Sequence, residues 1–124
     1  MINALYGGRR YRYSYNALPV EGWFGFRGIV KMDLEKGSEE VVELPDGVFA
    51  SETVMAPRIG SAAEDDGYLV TFTMDVNEDR SQCWIFDAAH PTDGPLAKVS
   101  LPERICSGTH AFWHAGERNE EVSA

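Results

Sequence analysis

Large apolar and polar residues alternate along most of this chain in short runs, separated by clusters of Gly, Asp, Asn or Pro. Strand side chains point to opposite faces in turn, so this alternation predicts half-buried β-strands joined by tight turns. Tyr11, Tyr13 and Tyr15 fall on one side of an extended segment, with Arg12 and Ser14 on the other. FRGIVKMDL, Phe26 to Leu34, breaks at the charged turn EKGSEE before VVEL resumes at Val41, which predicts a hairpin. The second half repeats the scheme: EDDG leads into YLVTFTMD from Tyr68, NEDR turns, and QCWIFD from Gln82 returns antiparallel. A weaker strand, AKVSL, follows. No segment carries a sustained helical stripe, and Glu117 to Ala124 reads as a polar, frayed tail. The chain is expected to be all-β over residues 1–116, with 117–124 as the tail.

An internal repeat turns these strands into an architecture. VVELP at Val41 leads into DGVFASETVMAP, and KVSLP at Lys98 leads into ERICSGTHAFWH. Glu52 lies seven residues beyond Pro45 and His110 eight beyond Pro102, so the two occupy equivalent places 58 positions apart. Blade repeats of β-propellers run about 40 to 50 residues, so this spacing suits one four-stranded blade with long loops. The starts of successive inner strands converge on a propeller's axis, and Glu52 and His110 would face that common centre. A chain of 124 residues holds about two blades. Two cannot close a ring, so the expectation is part of a larger propeller domain.

Composition narrows the function classes. Hydrophobic residues make up 44% and charged residues 25%, ordinary for a globular chain. Twenty acidic against eleven basic residues give a formal charge of −9, which repels phosphate backbones and argues against a nucleic-acid partner. No apolar run approaches the roughly 20 residues of a membrane span, and MINALYGGRR lacks a signal-peptide core, so a cytoplasmic location is expected. Cys83 and Cys106 have no CxxC or CxxH neighbour and read as reduced thiols rather than a zinc site or disulfide framework.

Three histidines are candidates for chemistry. His110 sits among Gly108, Thr109 and Ala111, small residues that let a ligand or metal approach, and neutral imidazole ligates iron, copper, nickel and zinc. His114 follows at the spacing of an H-E-x-x-H helix but without its glutamate, and in a strand the pair would stand about 13 Å apart, so His114 reads as structural. His90 lies in the turn-rich AAHPTDGP and reads as an exposed loop residue. Glu52 enters the apolar VMAP segment, where a carboxylate needs a partner; besides an exposed strand end, it suits an acceptor for the free ring N–H of a metal-bound histidine. There is no G-x-S-x-G elbow for a serine nucleophile. Gly7-Gly8 lacks the following helix of a phosphate loop. EKGSEE and EDDG read as solvated turns, with at most a weak cation site.

RRYRYSY (Arg9 to Tyr15), SETVMAPR (Ser51 to Arg58), EDDGYLVTF (Glu64 to Phe72) and LPERICSGTHAFW (Leu101 to Trp113), in that order, resemble the carotenoid cleavage oxygenase family and most of all its bacterial lignostilbene dioxygenase branch. The resemblance implies the C-terminal part of a seven-bladed β-propeller capped by loops and helices, with Fe(2+) on the axis held by four histidines. His110 matches the last of these ligands, and the other three would lie upstream. Glu52 matches a glutamate that hydrogen-bonds a ligand imidazole, and another such glutamate would fall just before Met1-Ile2-Asn3. Thr53 stands where the family commonly has proline, and His114 where it has an aliphatic or small residue, two departures that remove no proposed metal contact. The implied reaction delivers both atoms of dioxygen across a C=C bond of an apolar conjugated stilbene or (apo)carotenoid, giving two carbonyl products. Phe112 and Trp113 are expected to pack the blade. Without the N-terminal blades of the same protein the chain would be inactive. The rival expectation is a metal-free propeller or sandwich that serves as a binding module.

Overall fold

The computed structural model describes residues 1–116. Eight strands carry the fold: β1 (Tyr13–Pro19), β2 (Phe26–Asp33), β3 (Ser38–Glu43), β4 (Val48–Ala50), β5 (Val54–Pro57), β6 (Gly67–Asp75), β7 (Arg80–Asp87) and β8 (Pro95–Ser100). The only helical elements among the described residues are two 3-10 turns, Ala4–Tyr6 and Pro91–Asp93. Both expected hairpins form. β2 pairs antiparallel with β3 from Gly28↔Glu43 to Asp33↔Ser38, and β6 with β7 from Tyr68↔Asp87 to Asp75↔Arg80. The weaker strand AKVSL overlaps β8, an exposed edge paired to β7 that begins two residues earlier and ends one residue short of Leu101.

The repeat is visible in the pairing. β1, β2 and β3 form one meander, and β6, β7 and β8 form another whose last two strands have the lengths of their counterparts, eight and six residues. β4 and β5 together make the inner strand of the second meander, both pairing with β6. A single pair, Phe26↔Ala50, joins the two meanders through the backbone. Their main bond is therefore the core between them. Tyr15, Ile29, Leu44, Val48 and Ala50 meet Met55, Leu69, Trp84, Phe86 and Ala88, all buried. Tyr15 is the hinge of this packing, with its ring 1% exposed and its hydroxyl donating to the Ala88 carbonyl at 3.2 Å. Burial raises the pKa of that phenol well above its ordinary value.

The acidic run EDDG corrects the sequence reading. The turn is half-buried rather than solvated, and Glu64 and Asp65 in it pin the first meander to the second. Glu64 accepts the backbone N–H groups of Arg12 and Tyr13, each at 2.8 Å, so it caps the start of β1. Asp65 accepts from Lys31 Nζ at 2.9 Å, and the same ammonium donates to the Ala89 carbonyl at 2.8 Å and lies over the Tyr13 ring. Asp66 takes Arg58 Nε at 2.8 Å, which holds its carboxyl below the usual carboxylate range. A buried lysine needs such partners, since Lys31 is only 4% exposed. EKGSEE, by contrast, divides: Glu35 to Gly37 make the exposed turn that the sequence predicted, while Ser38 to Glu40 already belong to β3.

Candidate functional site

The inner strand of the second meander is interrupted where Glu52 stands. Ala50 pairs with Thr73 and Val54 with Val70, so Ser51, Glu52 and Thr53 face only Thr71 and Phe72. This is a β-bulge, the device that adds one residue to a strand and re-aims its side chains, often beside functional sites. It is braced on β6: the Ser51 N–H donates to the Phe72 carbonyl at 2.7 Å, and the buried Thr71 hydroxyl donates to the Ser51 carbonyl at 3.2 Å.

Onto this bulge comes the segment that carries His110. After β8 the chain is held at Ser81, whose carbonyl accepts the Leu101 N–H at 2.9 Å and whose hydroxyl accepts the Ile105 N–H at 3.0 Å. It then reaches the bulge. The Gly108 N–H donates to Ser51 Oγ at 3.2 Å, the Glu52 N–H donates to the Gly108 carbonyl at 3.4 Å, and the Ala111 N–H donates to Glu52 Oε2 at 2.5 Å. The structure thus brings Glu52 and the His110 segment together, 58 positions apart in sequence. A cavity of about 200 Å³ opens beside them, lined in part by Glu52, Thr53, Thr109, Tyr15 and Asn16.

Several details differ from the sequence reading. Glu52 Oε2 holds a backbone amide, that of the residue after His110, rather than an imidazole. The His110 segment forms no strand among the described residues, although it was expected to open an inner strand. The reason is pairing: β5 is held by β6, the next strand of its own meander, and no described strand follows His110 to do the same. Phe112 does not pack the blade, being 81% exposed, whereas Trp113, 44% exposed, lines an apolar groove of about 580 Å³ with Ala56, Tyr68, Val70 and Ile85. His110 and His114 are exposed, and their rings make no hydrogen bond among the described residues. His90 is exposed as expected, in the loop before the second 3-10 turn. Cys83 and Cys106 are free thiols, and burial raises the pKa of Cys83.

Two features were missed in the sequence: the Ser51 hydroxyl as a partner of the His110 segment, and the hydroxyls of Thr53 and Ser107, both buried without a hydrogen-bond partner among the described residues. Ser51 lay in plain view beside Glu52, but its role depends on the bulge. No group of three or more His, Cys, Asp or Glu side chains converges among the described residues. Among the described residues His110 thus stands exposed on a backbone that Ser51 and Glu52 brace on either side. An exposed neutral imidazole can supply one ligand to a metal, and one ligand alone does not make a site.

Known proteins place this arrangement. A profile described as retinal pigment epithelial membrane protein matches residues 1–115. Carotenoid 9,10(9',10')-cleavage dioxygenase 1 of Phaseolus vulgaris is 35% identical over 135 residues, covering 97% of this chain and 25% of that protein. Among solved structures, a single-substitution variant of the Synechocystis apocarotenoid oxygenase superposes with a TM-score of 0.85 at 31% identity, covering 93% of this chain and 24% of the other. A cobalt-substituted form of that protein matches with a TM-score of 0.77 at 30% identity, over 86% of this chain and 23% of the other. The lignostilbene dioxygenase of Pseudomonas brassicacearum also reaches 0.85, at 24% identity over 93% of this chain and 26% of the other, a likeness of fold alone. The chain spans about a quarter of the length of the curated relatives it matches. With the family profile covering nearly all of it and the strand pairing of two successive blades, the chain belongs to the carotenoid oxygenase family and is a part of its β-propeller.

Proposed function

We propose that the chain contributes two blades and one metal ligand to a non-haem Fe(II) oxygenase that cleaves a C=C bond of an apolar conjugated substrate, a stilbene or an (apo)carotenoid. The observation that carries this reading is the docking of the His110 segment onto the Ser51–Glu52 bulge, which fixes the backbone on both sides of an exposed histidine. His110 would give one ring nitrogen to the metal, and the remaining imidazoles would come from blades outside these residues. Bound iron supplies the redox chemistry with dioxygen. The cobalt-substituted relative is in keeping with a metal held in this fold. Both oxygen atoms of O2 end in the two carbonyl products, so the reaction balances without a further reductant.

The chain's own residues do the holding. Glu52 uses one carboxylate oxygen on the Ala111 amide, and its Oε1, with no partner among the described residues, is available for the ring N–H of a neighbouring ligand histidine. The apolar residues around Trp113 would keep water from the blade face. Residues 1–116 form the propeller part on this reading, and the expected tail, 117–124, lies outside the described residues. No helix among the described residues is long and apolar enough to cross a membrane.

The test uses the full-length protein purified with iron and offered a stilbene and an apocarotenoid under oxygen. One alkene should yield two carbonyl products by mass spectrometry, with loss of activity on chelation. Stoichiometric iron with no cleavage of either substrate class would overturn the substrate assignment, and metal-independent cleavage would overturn the mechanism. The 124-residue chain alone should purify without stoichiometric iron, because one histidine does not hold the ion.

A further inference from the structure

We infer that Ser51 is a further positioning residue of this site: together with Glu52 it clamps the backbone on both sides of His110. The inference rests on the reading of His110 as a metal ligand. The two acceptors straddle the histidine. Ser51 Oγ takes the amide of Gly108, two residues before it, and Glu52 Oε2 takes the amide of Ala111, one residue after it. The Glu52 N–H, bound to the Gly108 carbonyl, closes the first contact from the other direction. Ser51 is 4% exposed, so its hydroxyl has little water to compete for it, and its own backbone is tied to Thr71 and Phe72 of β6.

The clamp matters because the His110 segment has no strand pairing of its own among the described residues. A ligand on a loosely held backbone must be ordered when the metal binds, and the ordering cost appears as weaker binding. A ligand held in advance avoids that cost, which is how outer partners come to govern metal sites they never touch. Steric fit is not what selects the segment, since a Cβ at Gly108 would meet Ser51 Cβ and Oγ at 3.6 Å, ordinary contact. Hydrogen bonding is the selective element. The bulge provides it by adding a residue to the strand, which lets Ser51 and Glu52 both serve the same neighbouring segment.

Three variants of the full-length protein test the clamp: Ser51→Ala, Ser51→Thr and Glu52→Gln. Amide hydrogen exchange on the metal-free protein reads the clamp directly, and cobalt(II), added to the metal-free protein against a competing chelator, reads its consequence. Ser51→Ala should speed exchange at Gly108 and weaken cobalt binding about 10-fold, the low end for lost outer partners. Ser51→Thr keeps the hydroxyl and should restore both. Glu52→Gln keeps an acceptor oxygen for Ala111 and should leave Gly108 exchange unchanged. Unchanged Gly108 exchange and cobalt affinity in Ser51→Ala would overturn the inference, as would equal loss in Ser51→Ala and Ser51→Thr. A wild-type protein that binds no cobalt would overturn the His110 reading instead, while the exchange result would still decide the clamp.

Discussion

Two equivalent stretches of this chain, the one after Glu52 and the one around His110, meet opposite fates. Both follow a Leu-Pro turn and both are apolar. Val54, Met55 and Ala56 lie in β5 at 7%, 2% and 4% exposure, whereas Phe112 and Trp113 stand 81% and 44% exposed outside any strand. Composition does not explain the difference. β5 has β6 beside it and the first meander over it, while among the described residues the His110 segment meets the bulge of Ser51 and Glu52 and, at Trp113, one open apolar groove. In a stacked repeat each unit draws its burial from its neighbours, and a stretch without its neighbour remains unburied whatever its sequence. The comparison also separates two kinds of order, one from packing and one from a few directed hydrogen bonds.

The largest effect should come from the packed side. Phe86→Ala empties a site that is fully buried between the meanders and should cost about 3 to 5 kcal/mol, enough to unfold a marginal domain. Urea unfolding of the 124-residue chain followed by circular dichroism would read it. Phe112→Ala, at the equivalent unpacked side, should stay within about 0.5 kcal/mol. If the two variants behaved alike, the contrast between the stretches would fail.

The next effect lies in the link between meanders. Asp65→Ala takes the nearer carboxylate from the buried Lys31 ammonium, leaving Glu40 at 3.9 Å, and should cost about 3 kcal/mol, while Lys31→Met removes the buried charge itself and should be close to neutral. Equal destabilisation by both would mean that the pair stabilises through Coulomb attraction rather than through avoided desolvation.

pH provides a smaller one. The raised pKa of Tyr15 means that the folded chain keeps this phenol protonated after unfolded chains have begun to ionise. Its contribution is therefore fully present below the unfolded value of about 10 and is lost as pH rises beyond it. Stability measured from pH 8 to 11 should fall at the top of the range, and Tyr15→Phe should flatten that fall. A Tyr15→Phe curve parallel to the wild type would assign the alkaline loss elsewhere.

The smallest concerns the bulge. The Thr53 hydroxyl is buried without a partner, so Thr53→Val removes an unmet polar group at nearly constant shape and should leave the urea midpoint unchanged or raise it. A loss above about 1 kcal/mol would show that the hydroxyl is bonded after all.

Much of this was legible in the sequence because alternation is a local signal. The hairpins of β2 with β3 and β6 with β7 follow from runs of residues that are contiguous in the chain, and so does the repeat that relates Glu52 to His110. What was not legible depends on pairing at a distance. Glu64, Asp65 and Asp66 look like a solvated turn until Arg12, Lys31 and Arg58 are brought to them. Ser51 acquires its role only from a bulge, and a bulge is a property of register between two strands, not of either one. Glu52 was recognisable as a partnered carboxylate, but its partner in this chain is an amide rather than a ring, which no residue pattern records.

On the proposed function, His110 gives a lone pair to the metal while Glu52 acts only through what it holds. Iron content and cleavage rate, measured side by side in full-length His110→Ala and Glu52→Gln proteins, test it most directly. His110→Ala should lose both iron and cleavage. Glu52→Gln should keep part of its iron and lose about 10 to 100-fold in rate, since an amide oxygen replaces the carboxylate only in part. Retained iron and turnover in His110→Ala would overturn the assignment of His110 as a ligand.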